Sequence, residues 1–238
     1  MIFSQKFTTR WHDTDAERRV RPTQLLVYMQ ETSNSHLESL NCNLDRLRDE
    51  KKLAFILSKT RLAIYMPLYA YEDITVSTWT CESRGFAFNR FYEIRRGNDI
   101  IASADTTWAL VSLDNKQLRR VDSFNLGSEH EAPIDIGIPP RFRVPKTEFL
   151  QLLGERKIVY SDLDYNMHMN NTRYADMLCD FLPYGKTKEI KGISLSYLHE
   201  AAFGDTISVY CHSENKKCDF RTINQEGTVC LEAEILFE

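Results

Sequence analysis

Hydrophobic positions along this 238-residue chain follow two periods, and the order in which those periods alternate occurs twice. Phe3, Phe7 and Trp11 among polar neighbours predict an opening strand over residues 2–11. Pro22 predicts a helix start, because its missing N–H would be unpaired in the first turn anyway. Leu25, Leu26, Met29, Leu37 and Leu40 give that helix an apolar face, with Ser33 and His36 near the same stripe. Asn43 to Lys51 reads as a shorter second helix. From Leu53 the pattern turns to strand, over 53–66, 73–83, 86–96 and 100–112, and Arg96-Gly97-Asn98-Asp99 predicts a hairpin turn. Residues 113–146 hold four of the seven prolines and little periodicity. They predict a linker laid over the surface, anchored by Ile134, Ile136, Ile138 and Phe142. Beyond it, Arg156 to Tyr160 has the β-branched content of a strand. Tyr174, Met177, Leu178 and Phe181 then recur at helical spacing until Pro183, and strands follow.

The second half therefore restarts the first. Trp11-His12-Asp13-Thr14-Asp15 matches Tyr160-Ser161-Asp162-Leu163-Asp164 at an offset of 149 residues, which also brings Leu25 and Met29 into register with Tyr174 and Leu178. Ala70 to Ile74 resembles Ala202 to Thr206, each opening a strand. The pattern implies two copies of one α+β unit, a helix packed on an antiparallel sheet. The expected division is a first repeat over 1–125, a linker over 126–150 and a second repeat over 151–238.

The densest chemistry falls in one loop. Tyr160 to Tyr174 carries Asp162, Asp164, Asn166, His168, Asn170 and Asn171 between a strand and a helix. Asp and Asn are ordinary turn and cap residues, and Asn170 or Asn171 is placed to cap the helix. Turn chemistry alone does not call for a histidine and two acids. Unpaired N–H groups at the helix start would suit a developing oxyanion. In register with Asn166 and His168 the first copy has Glu17 and Arg19, so the expectation is one active site, in the second repeat. Asp162 reads as a loop-shaping residue, because Asp13 persists in the other copy.

The bulk numbers narrow the classes. With 42% hydrophobic and 27% charged residues the chain has apolar mass for a sizeable core. A net charge of −4 argues against a nucleic-acid binder. No apolar run reaches membrane-spanning length, and the N-terminus lacks the layout of a signal peptide. Six scattered cysteines without CxxC or Cys/His spacing predict free thiols in a reducing cytosol, and alternating loop acids are not a metal-ligand pattern. No metal and no cofactor is expected. A homodimer stays compatible with all of this.

The run DLDYNMHMNNTRY resembles the signature of the acyl-ACP thioesterases, which release fatty acids from acyl carrier protein. WALVSLDNKQLRRV in the first half and YLHEAAFGD in the second extend the resemblance over nearly the whole chain. It implies a tandem, or double, hot-dog fold, each unit a long helix wrapped by an antiparallel sheet, and a cytoplasmic bacterial form without a plastid leader. It places Asp164, Asn166, His168 and Glu200 on the family's catalytic positions. Asp164 is then the expected nucleophile or general base, and Asn166 its support or an oxyanion donor. His168 would position the thioester or share the proton, and Glu200 would activate water. Many members carry a cysteine directly after that glutamate; here Ala201 stands there, which favours carboxylate over thiol chemistry. A thioester needs little acid assistance, since its leaving thiol has a pKa of about 8.5. The acyl chain needs an apolar tunnel, for which Leu25, Met29, Ser33, Phe55 and Leu57 are candidates, with plain core as the competing account. Arg18, Arg19, Arg21, Arg119, Arg120, Arg141 and Arg143 are candidates for docking an acidic carrier protein, against a simply solvated basic face. Two other readings remain at this point: an acyl-CoA thioesterase on the same fold, and a non-catalytic acyl or carrier-protein binding module.

Overall fold

The computed structural model describes residues 1–238 except 84, 125–129, 184 and 215. The first repeat comprises β1 (Phe3–Thr8), α1 (Pro22–Ser39), α2 (Leu44–Asp49), β2 (Leu53–Ile64), β3 (Asp73–Thr80), β4 (Ala87–Arg96) and β5 (Asp99–Ser112). A two-residue strand, β6 (Leu118–Arg119), pairs with β5. The second comprises β7 (Gln151–Lys157), α3 (Arg173–Asp180), β8 (Ile190–Tyr197), β9 (Thr206–Glu214), β10 (Lys217–Asn224) and β11 (Val229–Phe237). The order β1-β3-β4-β5-β2 is mirrored by β8-β11-β10-β9-β7, and β2 pairs antiparallel with β8, so both halves form one continuous sheet.

Both helices lie on one face of that sheet. Inward positions alternate along each strand, as Val76 on β3, Tyr92 and Ile94 on β4, Leu62 on β2, Ile193 and Leu195 on β8 and Phe220 on β10. With Leu25, Leu26 and Met29 of α1 and Tyr174, Met177 and Leu178 of α3 they make a single core. Sequence had implied a helix on each sheet; merging the sheets lets the helices pack on each other as well. The Thr23 hydroxyl accepts from Asp176 N–H (2.9 Å) and donates to Thr172 O (3.0 Å). It stands where α3's own bond between those groups would run. α1 ends in a Schellman turn: Asn41 takes φ 56°, Cys42 N–H reaches Leu37 O and Asn41 N–H reaches Glu38 O, both at 2.9 Å.

The proline-rich segment covers the opposite face. Ile136 and Ile138 are buried against Ala63 and Leu236, and Trp79 Nε1 donates to Ala132 O (3.1 Å). Gly192 on β8 is required there, since a Cβ would stand 2.7 Å from Ile138 Cδ1. The Gly97-Asn98 hairpin forms as expected, with Arg96 paired to Asp99 and positive φ at Gly97.

Three sequence expectations shift. The opening strand stops at Thr8, and Trp11–Asp13 form a 3-10 turn. β7 ends at Lys157, before Ile158. The segment opening β3 matches that opening β9 one residue out of the register inferred from sequence: Glu72 corresponds to Asp205. Thr9 N–H bonds Glu72 O as Ile158 N–H bonds Asp205 O, and each carboxylate accepts a nearby backbone amide at 2.8 Å, Tyr69 N–H for Glu72 and Ala202 N–H for Asp205.

Candidate active site

The two strand-to-helix loops share one backbone design. Asp15 N–H bonds Arg19 O as Asp164 N–H bonds His168 O, and Arg18 and Met167 take matching positive φ of 64° and 67°. Asp13 and Asp162 are buried and accept from Arg10 N–H (2.7 Å) and Val159 N–H (3.0 Å). Asp162 also pairs with Arg156. The expectation that Asp162 shapes the loop matches these contacts. The same argument reaches Asp164: its Oδ1 accepts Asn166 N–H at 2.8 Å, as Asp15 Oδ1 accepts Glu17 N–H at 2.8 Å.

What differs between the copies is the side chains hung on that frame. In both copies the loop is tied to the segment before the next strand: Met169 N–H bonds Ala201 O as Val20 N–H bonds Leu68 O, and His168 bridges Ala202 as Arg19 bridges Tyr69, while Phe203 N–H bonds Met167 O in the second. His168 Nδ1 is thereby set 3.3 Å from Glu200 Oε2. In the first copy the corresponding positions are Arg19 and Pro67, which have no such chemistry. Asn166 is oriented from outside its repeat: Arg48 Nη1 of α2 donates to its Oδ1 (2.5 Å), which turns its amide Nδ2 toward Asp164 Oδ2 (3.4 Å). The Arg48 guanidinium also covers the Tyr165 ring, 4.9 Å from its centroid.

Asp164, Asn166, His168 and Glu200 all line one cavity of about 850 Å³. The first repeat supplies its apolar walls: Leu37, Leu47, Phe55, Leu57, Phe88 and Trp108. Phe55 meets Phe88 edge-on at 5.3 Å and Phe124 at 5.7 Å. Below the loop of the second copy, Tyr174 and Tyr197 meet at 5.7 Å, and burial pushes both phenols upward, so they stand as neutral walls. The loop of the first copy borders a cavity of about 50 Å³, where Arg19 donates to Lys188 O (2.8 Å). Its counterpart helix, α3, has 8 residues against the 18 of α1, so the chain turns back across that site.

A family model described as the acyl-ACP thioesterase N-terminal domain matches residues 1–124, and one described as the C-terminal domain matches residues 151–238. The chain belongs to the acyl-ACP thioesterase family. It is 22% identical over 217 residues to a chloroplastic palmitoyl-acyl carrier protein thioesterase of Cuphea hookeriana, covering 84% of this chain and 52% of that one. It is 23% identical over 235 residues to the chloroplastic oleoyl-acyl carrier protein thioesterase 2 of Arabidopsis thaliana, covering 89% and 63%. The chain thus spans a little over half to just under two thirds of the length of these curated relatives. An acyl-ACP thioesterase from Bacteroides thetaiotaomicron superposes with a TM-score of 0.89 at 21% identity, covering 100% of this chain and 98% of that one. The 12:0-ACP thioesterase from Umbellularia californica gives 0.84 at 16% identity, covering 100% and 97%. The double hot-dog fold follows from these matches.

Several sequence expectations for this acyl-ACP thioesterase family member are corrected by the packing. Leu25 and Met29 do not line the large cavity; both are buried in the shared core, because their stripe of α1 faces α3 and the sheet. Ser33, Phe55 and Leu57 do line it. The helix cap is Thr172, whose N–H and hydroxyl both reach Asn170 Oδ1 at 2.9 Å. Arg173 N–H is bonded to Asn170 O and Asp176 N–H to Thr23, so the start of α3 is not the open set of oxyanion donors expected from sequence. Arg19 and Arg21 are committed within the fold, Arg21 to His12 O (3.0 Å) and Asp176 (3.6 Å). Arg18 is exposed on the loop of the first copy, and Arg141 and Arg143 are exposed on the linker. None of these five lines the large cavity. Arg119 and Arg120 are exposed beside Val121 and Asp122, which do.

Buried Ala201, not a cysteine, follows Glu200. Cys81, the cysteine bordering the cavity, is pushed up to about 11 by burial, and Cys179 to about 12. Among the described residues, no three His, Cys, Asp or Glu side chains converge as a metal ion would require, and no helix is long and apolar enough to cross a membrane. Sequence reasoning missed Arg48 and Arg90. Arg48 carried no signal that separates it from a solvated helix residue. Arg90 did: in Phe88-Asn89-Arg90-Phe91-Tyr92, strand alternation puts it on the inward face.

Proposed function

We propose that this protein hydrolyses fatty acyl thioesters on acyl carrier protein, in fatty acid biosynthesis. The observation that carries the reading is the His168–Glu200 contact at 3.3 Å, set at one end of an apolar cavity and absent from the otherwise superposable loop of the first repeat. The carbonyl enters beside Asn166, whose Nδ2 faces Asp164 because Arg48 holds its oxygen. Glu200, in contact with the His168 ring, takes the proton from the attacking water. Asp164 positions Asn166 rather than attacking, since one of its oxygens is already spent on the turn it shares with Asp15. Bulk water is kept from the chain by the Phe55, Phe88 and Trp108 walls. The first repeat (1–125) supplies the acyl site and the second (151–238) the chemistry; of the 126–150 linker between them, residues 126–129 lie outside the described residues, and residues 132–138 lie over the back of the sheet. Arg119 and Arg120, exposed beside the cavity-lining Val121 and Asp122, are the docking cations for an acidic carrier protein. Six free cysteines suit the cytoplasm.

The test is thiol release from acyl-ACP by purified protein, with matched acyl-CoA alongside. Faster turnover of the carrier-protein substrate is expected. Equal or greater turnover of acyl-CoA would move the assignment to a CoA thioesterase. No release above a His168→Ala control, on any chain length, would leave a binding module.

A further inference from the structure

The interior of the acyl cavity contains a cation with no acid paired to it among the described residues. Arg90 of β4 lines the cavity and is 5% exposed. Its Nη1 donates to His36 Nδ1 (2.9 Å) and to Thr78 Oγ1 (3.2 Å). Burial and the Arg90 charge hold His36 down at about 4, so at neutral pH it is an uncharged acceptor and compensates nothing. Phe3 stacks on the imidazole at 5.3 Å and fixes the ring. Among the described residues no carboxylate pairs with Arg90, and its Nε and Nη2 find no protein acceptor. Neither nitrogen is sealed in the packing: the enclosed unpartnered polar atoms are Gln5 Oε1, Arg21 Nε and Asp219 Oδ1. A buried charge without a partner carries a desolvation penalty that a purely hydrocarbon tunnel would never relieve.

Register locates the charge relative to the chemistry. Arg90 pairs with Thr106, Thr106 with Thr60 and Thr60 with Leu195, near the end of β8 that leads to Glu200. Three strand spacings, roughly 14 Å, separate β4 from β8. An extended acyl chain with its carbonyl at His168 and Glu200 would run across β2 and β5 and bring its far end to Arg90.

We propose that the cavity is built for acyl chains carrying an anionic oxygen function, a carboxylate, at or near the far end, and that Arg90 is the residue that binds it. The inference rests on the acyl-thioester reading above. Nε and Nη2 supply a planar pair of donors that matches a carboxylate. The terminal methyl of an ordinary fatty acid would leave both unpaired.

The test is calorimetric binding of a length series of α,ω-dicarboxylic acids and the corresponding monocarboxylic acids to the full chain. At the best length the dicarboxylate should bind at least about tenfold more tightly, the range of a charge-assisted hydrogen bond. Arg90→Met should erase that ratio, and Arg90→Lys should keep part of it. The same ratio should appear in kcat/KM for ω-carboxyacyl-ACP against acyl-ACP. Native protein that favours the monocarboxylate at every length, or a folded Arg90→Met protein with the ratio intact, overturns the proposal. The native comparison stands even if the variant does not fold. Absence of turnover on every acyl-ACP, with the dicarboxylate preference present, would sink the thioesterase reading and leave the Arg90 site standing.

Discussion

Replacing Glu200 by Gln separates catalysis from folding. The substitution keeps side-chain size and removes the charge and the proton-accepting carboxylate. Glu200 is 63% exposed and His168 33%, with 3.3 Å between them. Two full charges at that distance in a water-like dielectric interact by only ~1 kcal/mol. Exposed ion pairs are worth about 0–1 kcal/mol in practice, once side-chain ordering and screening are counted. The loop itself is held by the backbone bonds of Met167 and Met169 to residues 201–203, which Gln leaves in place. Urea unfolding should therefore shift by less than ~1 kcal/mol. On the proposal that Glu200 is the base, turnover should fall by at least about a hundredfold, which corresponds to ~2.7 kcal/mol of transition-state stabilisation. Stopped thiol-release assays on acyl-ACP, beside urea titrations of the same preparations, measure both. A folded Glu200→Gln protein within about threefold of native turnover would refute Glu200 as the base. A stability loss of several kcal/mol would show that the carboxylate holds the loop instead.

The cavity wall and the core should respond differently to bulk. Ser33→Phe narrows the cavity and should shift preference to shorter acyl chains, each excluded methylene forfeiting about 0.8 kcal/mol of burial, as a chain-length panel would show. Met29→Trp should instead overpack the core and lower unfolding free energy by about 1–3 kcal/mol. Arg48→Ala releases the Asn166 amide and should reduce kcat by about tenfold with melting temperature nearly unchanged, whereas an unchanged kcat would show that the contact is incidental. His36 has its folded pKa at about 4, below the usual 6.5, so between those values the unfolded chain binds more protons. Its contribution is complete above pH ~6.5 and is lost as pH falls toward 4, by about 3 kcal/mol in all. Urea titrations at pH 7 and pH 4.5 should show a weaker pH dependence for His36→Asn than for the native protein.

The sequence alone determined the elements and the duplication. Pro22, the apolar stripes and the Gly97-Asn98 turn are local signals, set by backbone sterics and side-chain period, and they survive in any tertiary context. So did the pairing of Asp13 with Asp162 and Asp15 with Asp164, because the same loop geometry needs the same side-chain carboxylates to accept from its backbone amides. The tertiary structure decided what those elements meet. Leu25, Met29 and Ser33 share one helix stripe, yet α3 covers the first two and leaves Ser33 on the cavity, a distinction no periodicity contains. Arg48 reaches Asn166 across 118 residues only because β2 pairs with β8 and brings the first repeat's helices over the second repeat's loop. At the start of α3 the Asp176 amide is taken by Thr23, which is remote in the chain. Arg90 stands between these cases: alternation marked it as inward, but only packing showed that no acid among the described residues comes with it. Side-chain identity fixes which groups exist and which way a strand presents them, whereas charge compensation depends on neighbours drawn from every other element.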